Sequence, residues 1–125
     1  MDRQTIEKDF SFLKERKGVL AVLLFGSRVT KREHERSDVD ICIVAPEEDP
    51  WSLWLDVDRR VRSKGRYDFH IFEDFGLKMK HQVLENHEII WCRDEPKLHE
   101  YFYTYRKLWD DQAKARGVAA RAASA

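Results

Sequence analysis

The sequence contains few cysteines, prolines and glycines, and each shortage excludes a kind of organisation. Two cysteines, three prolines and five glycines occur among its 125 residues. Two cysteines cannot form a disulfide framework. Cys42 and Cys92 both fall in predicted strands, so we expect small buried hydrophobes in a reducing compartment. Proline and glycine are too scarce to mark a linker, so we expect one domain, residues 1–116. Residues 117–125 have little to bury and are expected to form a flexible C-terminal tail.

The sequence also lacks long apolar runs and an excess of charge of either sign. No apolar segment approaches the roughly 20 residues that a membrane-spanning helix needs, and the N-terminus MDRQTIEKDF lacks the apolar core of a signal peptide. The 23 lysines and arginines balance the 23 aspartates and glutamates. We therefore expect a cytoplasmic protein that does not enter a membrane. Nonspecific nucleic-acid binding is not expected either, since such binders are normally basic.

Hydrophobic periodicity predicts an alternation of helices and strands. Four segments have the apolar spacing of amphipathic helices: residues 2–17, 51–63, 76–86 and 95–116. Four shorter segments have the apolar or alternating pattern of strands: residues 19–25, 39–44, 66–72 and 87–92. We expect an α/β (α+β) fold with a small mixed sheet of about four strands and a long C-terminal helix. The helices are expected to flank this sheet mainly on one side.

One stretch joins a glycine turn to a strand that carries aspartates. The first predicted strand ends at Gly26, which lets the backbone turn sharply and approach a ligand closely. Ser27 then offers a hydroxyl and an amide N–H to a phosphate, and Arg28 adds a planar cationic donor. In the second predicted strand, Asp38 and Asp40 point the same way, roughly 6.6 Å apart along the chain. Two such carboxylates can flank one or two divalent cations, and oxygen ligands favour Mg²⁺.

A purely structural interpretation of this stretch is also possible. Ser27 could cap a helix, and Asp38 and Asp40 could be solvated turn residues. The position of Asp40 argues against that, because it lies within the apolar run VDICIV. A carboxylate there is costly unless it is paired with a charge or bound to a metal.

The arrangement of these residues resembles a known signature. Gly26-Ser27, ten intervening residues and Asp38-Val39-Asp40 are similar to the G-S-x10-D-x-D motif of the DNA polymerase β-like nucleotidyltransferase superfamily. The short chain and the G-S-R start resemble its minimal nucleotidyltransferases, the MNT family, which are often paired with HEPN proteins. The motif covers residues 26–40, and the order of predicted elements fits almost the whole chain. The resemblance implies the polymerase β-like fold, with residues 1–116 as the nucleotidyltransferase domain.

The superfamily also has a third acid on a later neighbouring strand. Two-metal nucleotidyl transfer needs it to bind the catalytic metal and to help deprotonate the attacking hydroxyl. Asp68, in the segment RYDFHIF, resembles this acid. Glu73 and Asp74 are alternatives, but they follow the end of the strand and are expected to be solvated. His70 shares a strand face with Asp68 and could line the site or be a structural histidine.

The resemblance implies a complete set of roles. Catalytic and metal-binding residues would be Asp38, Asp40 and Asp68. Nucleotide-binding residues would be Gly26, Ser27 and Arg28. The implied reaction is transfer of AMP from ATP to a hydroxyl group, with two Mg²⁺ ions.

The sequence is compatible with more than one acceptor for the transferred AMP. MNT proteins act as antitoxins that adenylylate a tyrosine of a HEPN ribonuclease toxin, so the resemblance implies such a partner. One alternative is a nucleotidyltransferase that modifies a small molecule such as an aminoglycoside antibiotic. Another is a module without catalysis that neutralises a HEPN toxin by binding alone. The sequence leaves the nucleotide preference and the oligomeric state open.

Overall fold

The computed structural model describes residues 2–26 and 38–124, with side chains as far as Gly117. The helices and strands in these ranges are α1 (Arg3–Asp9), β1 (Ala21–Phe25), β2 (Val39–Val44), α2 (Pro50–Val61), β3 (Tyr67–Ile71), α3 (Leu77–Glu85), β4 (His87–Cys92) and α4 (Glu95–Ser124). Short 3₁₀ helices follow α1 at Ser11–Glu15 and β3 at Phe72–Asp74. Every predicted helix and strand is therefore present, although the predicted helix 2–17 is divided at Phe10.

The four strands form one mixed sheet in the order β3-β2-β1-β4. Strand β1 pairs antiparallel with β2 and β4, whereas β2 and β3 run parallel. Every residue of β1 is buried, and in β2 all are buried except Asp40. Apolar side chains on both faces of a strand require a cover on both faces of the sheet.

The helices do pack on both faces, so the predicted arrangement mainly on one side is wrong. On one face, α1, the following 3₁₀ helix and α2 cover alternate residues of the central strands, among them Val22 and Ile41. On the other face, α3 and α4 cover the intervening residues of the same strands, among them Leu23 and Cys42. Because side chains of a strand alternate between faces, two apolar neighbours in sequence enter two different cores.

The two cysteines agree with the predicted structural role. Cys42 is buried in the core beneath α3 and α4, whereas Cys92 at the end of β4 is half-buried. Both are free thiols. Burial raises the pKa of each thiol, so both favour the protonated, unreactive form.

The last helix is longer than the sequence predicted. Helix α4 continues to Ser124, past residue 116 where the predicted helix ended. The predicted helix ended at residue 116 because the residues from Gly117 onward have little to bury. The alanines that follow have the highest helix propensity, which offsets a penalty of about 1 kcal/mol for one glycine inside a helix. In the described part of the chain, no helix has the length and apolar character that crossing a bilayer requires.

Candidate functional site

The candidate site lies where the end of β1 meets the beginnings of β2 and β3. Phe25, the last residue of β1, pairs with Asp40 of β2. Asp40 in turn pairs with Asp68 of β3. Because β1 runs antiparallel to β2 and β3 runs parallel to it, the turn after β1 and both acidic strand ends come to one edge of the sheet. Gly26, which follows β1, is thereby brought together with Asp40 of β2 and Asp68 of β3.

Gly26 is placed where a side chain would be strained. Its φ angle is +80°, a left-handed conformation that costs an L-residue with a side chain roughly 1–2 kcal/mol. A Cβ atom added here would collide with Oδ2 of Asp40. The backbone of the turn therefore lies directly against the carboxylate of Asp40. The close approach observed here is to Asp40, and the predicted approach of this turn to a ligand remains a prediction.

The environment of Asp40 disfavours its ionised form. Its side chain is half-buried, and desolvation raises its pKa, followed by the effect of the neighbouring Asp68 carboxylate. Asp68 is the strand partner of Asp40, so the two carboxylates lie close enough for the charge of Asp68 to disfavour the ionised form of Asp40. A bound divalent cation would relieve both the desolvation and the repulsion. The donor chemistry at this edge of the sheet therefore fits Mg²⁺.

Asp38 lies beside an arginine. It immediately precedes β2, more than half of its side chain is exposed, and its Oδ1 lies 3.4 Å from Nε of Arg66. In the described ranges, no three His, Cys, Asp or Glu side chains are gathered closely enough to hold a metal on their own. The structure thus brings Asp40 and Asp68 together and leaves Asp38 paired with Arg66. An open set of this kind suits Mg²⁺, which usually keeps several waters and completes its shell with substrate phosphates.

A cleft of about 590 Å³ opens beside Asp40 and Asp68. The strand ends contribute Phe25, Gly26, Asp40, Asp68 and His70 to its lining. The segment from Phe75 through α3 contributes Phe75, Met79, His81, Gln82, Glu85 and Asn86. Sites for small ligands and cofactors typically measure about 300–1,000 Å³ and combine apolar walls with a few polar groups. The cleft is therefore large enough for a nucleotide whose phosphates lie near the acids.

Sequence reasoning did not identify the polar side chains of α3 as part of this cleft. His81 and Glu85, and Gln82 and Asn86, are spaced four residues apart, so each pair shares a helix face. That spacing is common on exposed helices and does not by itself indicate a site. The structure adds that the ring of His81 stacks on Trp109 of α4, with centroids 4.2 Å apart. This contact fixes one wall of the cleft against the long helix.

His70 lies in the cleft beside Asp68. Its Nε2 is 3.1 Å from Oδ1 of Asp68. Its ring also contacts Phe25 and Phe75, with centroid distances of 6.0 Å and 5.3 Å. The sequence left open whether this histidine lines the site or is structural. The structure places it in the lining.

Glu73 is not solvated, contrary to the sequence prediction. One of its carboxylate oxygens accepts a hydrogen bond from the backbone N–H of Ala45 at 2.9 Å. The other accepts from the hydroxyl of Tyr101 at 2.7 Å, and burial raises the pKa of the acid. Glu73 thus ties the end of β2 to α4 and is not part of the cleft lining. The prediction failed because the partner, Tyr101, comes from a helix far along the chain. Asp74 is exposed, as predicted.

Ser27 and Arg28 lie outside the described residues. Their predicted contacts with a triphosphate remain predictions, as do the metal-binding and catalytic roles of the three aspartates.

Comparison with known proteins gives an independent view of the chain. The family model described as Polymerase beta, Nucleotidyltransferase matches residues 7–96. A candidate protein adenylyltransferase of Methanocaldococcus jannaschii is 36% identical over 96 residues, which span 77% of this chain and 74% of that protein. The matched family segment includes the glycine turn and all three aspartates.

Two solved structures with the same fold come from toxin–antitoxin pairs. A chain in the crystal structure of a toxin–antitoxin with AMP-PNP aligns with a TM-score of 0.68 and 18% identity, and the match covers 100% of both chains. A chain in the structure of a tri-AMPylated Shewanella oneidensis HEPN toxin in complex with its MNT antitoxin aligns with a TM-score of 0.66 and 15% identity, again over 100% of both chains. At these identities the likeness shows the fold, including the mixed sheet and the long last helix.

Proposed function

Because the chain belongs to the polymerase β nucleotidyltransferase family, we propose that it transfers AMP from ATP to a hydroxyl group in a Mg²⁺-dependent reaction. The observation that carries this proposal is the direct pairing of Asp40 with Asp68 at the mouth of a cleft, beside Gly26. Two carboxylates at one strand end are an unfavourable arrangement that a metal-bound triphosphate would stabilise. A purely structural role for these acids gives no reason to hold them together.

Each residue of the site has a distinct part in the proposed reaction. Asp38 and Asp40 would hold the Mg²⁺ that accompanies the triphosphate, and Asp68 would join them in holding the Mg²⁺ that activates the acceptor hydroxyl. Mg²⁺ bound there supplies charge neutralisation and lowers the pKa of the acceptor hydroxyl. The hydroxyl oxygen bonds to the α-phosphorus while the bond to pyrophosphate breaks, and Asp68 is placed to accept the hydroxyl proton. Catalysis by this chain is mainly positioning and electrostatic stabilisation.

The backbone after β1 has the second task of holding the phosphates. The close contact of Gly26 with Asp40 keeps the turn beside the acids. Ser27 and Arg28 follow directly in the sequence and supply a hydroxyl and a guanidinium for the distal phosphates. The cleft next to α3 leaves space for the nucleoside.

A tyrosine of a HEPN-domain protein is the acceptor that we propose. Two observations support it. The curated relative from M. jannaschii is described as a candidate protein adenylyltransferase. Two chains of the same fold come from toxin–antitoxin structures, one of which contains a tri-AMPylated HEPN toxin. An acceptor of this kind makes the chain an antitoxin that acts by adenylylation.

The experiment is label transfer from α-³²P-ATP to a purified HEPN-domain protein of the same organism. We expect label on the HEPN protein with Mg²⁺, none with EDTA, and none with Asp40→Asn. Asp74→Asn is the matched control, because Asp74 is an exposed aspartate outside the cleft. Binding of Mg·ATP without label on the HEPN protein would contradict the proposed acceptor. No binding of Mg·ATP would contradict the proposed chemistry as well.

A further inference from the structure

We propose that the outer edge of β3 binds the acceptor as an added strand: an extended segment of the HEPN-domain protein pairs with Phe69 and brings its tyrosine to Asp68. This inference rests on the proposed function and adds to it the surface that recognises the acceptor. Three features carry it. They are an uncovered strand edge, a row of aromatic rings beside that edge, and the position of Asp68 on the same strand.

The outer edge of β3 has free backbone groups. Strand β3 is outermost in the sheet order β3-β2-β1-β4, and its pairing with β2 includes a hydrogen bond from the N–H of Val39 to the carbonyl of Arg66 at 2.7 Å. Backbone groups of successive strand residues point to opposite sides, so those of Asp68 point to β2 and those of Phe69 point away from it. Within the part of the chain that the structure describes, the N–H and C=O of Phe69 have no hydrogen-bond partner. They offer one donor and one acceptor to an added strand.

The opposite edge of the sheet is covered. Helix α1 contacts β4, and Arg3 donates a hydrogen bond to the carbonyl oxygen of Ile89 at 2.5 Å. An uncovered edge strand, by contrast, is a template for pairing with another chain. The negative charge of Asp68 on β3 disfavours pairing with a second copy of this chain, whose own Asp68 would approach it. A segment that brings a neutral tyrosine meets no such repulsion.

An aromatic row, formed by Phe69, Trp54 and Trp51, begins at this edge and continues along α2. The ring centroids of Phe69 and Trp54 are 5.3 Å apart. Those of Trp54 and Trp51 are 6.1 Å apart, and their planes are nearly parallel at 4°. Trp51 is 68% exposed, which leaves a large apolar surface in contact with water. Exposed apolar surface of this kind marks interaction sites, and tryptophan is among the residues that contribute most to binding at them.

An added strand would use both faces of the sheet at this edge. Asp68 and Phe69 are neighbours in β3, so their side chains leave opposite faces. Asp68 lines the cleft, whereas Phe69 packs against Trp54 on the α2 side. Opposing residues of paired strands have Cβ atoms about 4.5–5.5 Å apart, so the residue opposite Asp68 enters the cleft. The next residue, opposite Phe69, lies over the aromatic row. The structure therefore favours an acceptor tyrosine that has an apolar residue directly beside it in sequence.

Four variants test the strand edge and the aromatic row separately. Phe69→Ala removes a ring and keeps the outward N–H, whereas Phe69→Pro removes both; proline is tolerated in an edge strand where its nitrogen faces outward. Trp51→Ala removes the exposed ring of the aromatic row. Tyr103→Ala is its matched control, because Tyr103 is an exposed aromatic residue of α4 outside the cleft. For each we would measure the KM for the HEPN-domain protein in label transfer from α-³²P-ATP and, by calorimetry, the affinity for Mg²⁺ with the non-transferable analogue AMP-CPP.

The expected pattern is weaker binding of the acceptor without weaker binding of the nucleotide. Phe69→Pro should have a KM about three- to tenfold above that of Phe69→Ala, because it lacks one backbone hydrogen bond. Trp51→Ala should raise the KM by about tenfold or more, and Tyr103→Ala should match wild type. The affinity for Mg·AMP-CPP should stay within about twofold of wild type in all four. Equal KM values for Phe69→Pro and Phe69→Ala, or a wild-type KM for Trp51→Ala, would overturn the proposal.

Amide hydrogen exchange of the wild-type protein does not depend on any variant folding. The outward N–H of Phe69 should exchange rapidly in the free protein and at least about tenfold more slowly with the HEPN-domain protein and Mg·AMP-CPP. Unchanged exchange would overturn the proposal. Slow exchange that needs only a higher concentration of this chain would also overturn it, because a second copy would then occupy the edge.

The same measurement separates this inference from the proposed reaction. Slow exchange at Phe69 in the presence of the HEPN-domain protein, without label transfer to it, would contradict the reaction and support the docking surface. Label transfer without slow exchange at Phe69 would contradict the docking surface alone.

Discussion

Asp40 and Asp68 are direct partners in the parallel register of β2 and β3. Phe25, one residue before the glycine turn, is the partner of Asp40 on the other side. This places two like charges next to each other at a strand end, where desolvation and their mutual repulsion raise the pKa of Asp40. In the absence of a cation, this arrangement therefore lowers the free energy of unfolding.

Asp40→Asn should stabilise the metal-free protein and abolish Mg·ATP binding. Asparagine removes a charge that is poorly solvated in the fold, so the melting temperature without Mg²⁺ should rise. Since the raised pKa means that the ionised form is disfavoured in the folded state, the rise should be present at pH 7 and vanish when the pH is low enough to protonate Asp40. Thermal melts with EDTA and calorimetry with Mg·ATP test both parts. An unchanged affinity for Mg·ATP would contradict the assignment of Asp40.

Asp68→Asn should abolish transfer while largely sparing the binding of Mg·ATP. Asp38 and Asp40 are proposed to hold the nucleotide-bound cation, whereas Asp68 is proposed to serve the acceptor side. An interaction made mainly in the transition state lowers the rate without altering ground-state affinity. We expect a loss of about 100-fold or more in the transfer rate, measured beside a binding titration. Transfer near the wild-type rate would show that another group is the third acid.

Gly26→Ala should damage the site more than a glycine replacement elsewhere. The new Cβ would have to occupy the space of Asp40 Oδ2, at a φ angle of +80°. We expect a loss of roughly 1–2 kcal/mol in the free energy of unfolding and a weaker affinity for Mg·ATP. Gly76→Ala is the matched control, because a Cβ at Gly76 would meet no atom within 4 Å. Equal effects of the two replacements on nucleotide affinity would contradict the close approach at Gly26.

Ser27→Ala and Arg28→Ala should weaken the binding of ATP more than that of AMP. Their predicted contacts are with the distal phosphates, which AMP lacks. A hydrogen bond to a charged group contributes roughly 1.5–3 kcal/mol, so each replacement should cost about tenfold or more in affinity for ATP. Calorimetric titrations with both nucleotides provide the comparison. If each variant lost the same affinity for ATP and AMP, the assignment to the distal phosphates would be wrong.

Acid should destabilise the protein through Asp56 on α2. Desolvation acts to raise its pKa, but hydrogen bonds from Arg60, Arg59 and Arg16 outweigh it and lower the pKa to about 2. The ionised form is therefore favoured in the folded state, and this contribution is complete above pH 4 and lost as the pH falls towards 2. Urea unfolding between pH 6 and pH 2 should show a loss of about 2 kcal/mol from this group. Asp56→Asn should be less stable at pH 6 and have a flatter acid profile, whereas Asp110→Asn on exposed α4 should follow wild type.

Local sequence patterns were sufficient for the order of the helices and strands and for part of the cleft lining. Residues 19–25 and 39–44 are apolar runs of strand length, and β1 and β2 lie inside them. The two-residue period of a strand correctly placed Asp68 and His70 on one face. The spacing between Gly26 and Asp40 indicated that the glycine turn and the acid belong together, and the structure has them in contact.

Several further relationships depended on contacts between distant segments. Glu73 was expected in solvent because nothing near it in sequence offers a partner, yet Tyr101 and the backbone of Ala45 both bind it. The contact between Asp38 and Arg66 likewise joins the residues just before β2 and β3, which α2 separates in the sequence. Such contacts depend on how the helices cross the sheet, which periodicity does not describe.

By itself, the sequence determined the local geometry of this protein: where strands and helices form, which side chains share a face, and which turn requires glycine. These follow from backbone conformation and hydrophobic period, which act over a few residues. The tertiary structure decided the register that opposes Asp40 with Asp68, the covering of both faces of the sheet, and the packing of Phe25 and Phe75 around His70. Register and packing minimise the free energy of the whole fold, because each depends on burying apolar surface and satisfying polar groups from segments far apart in the chain.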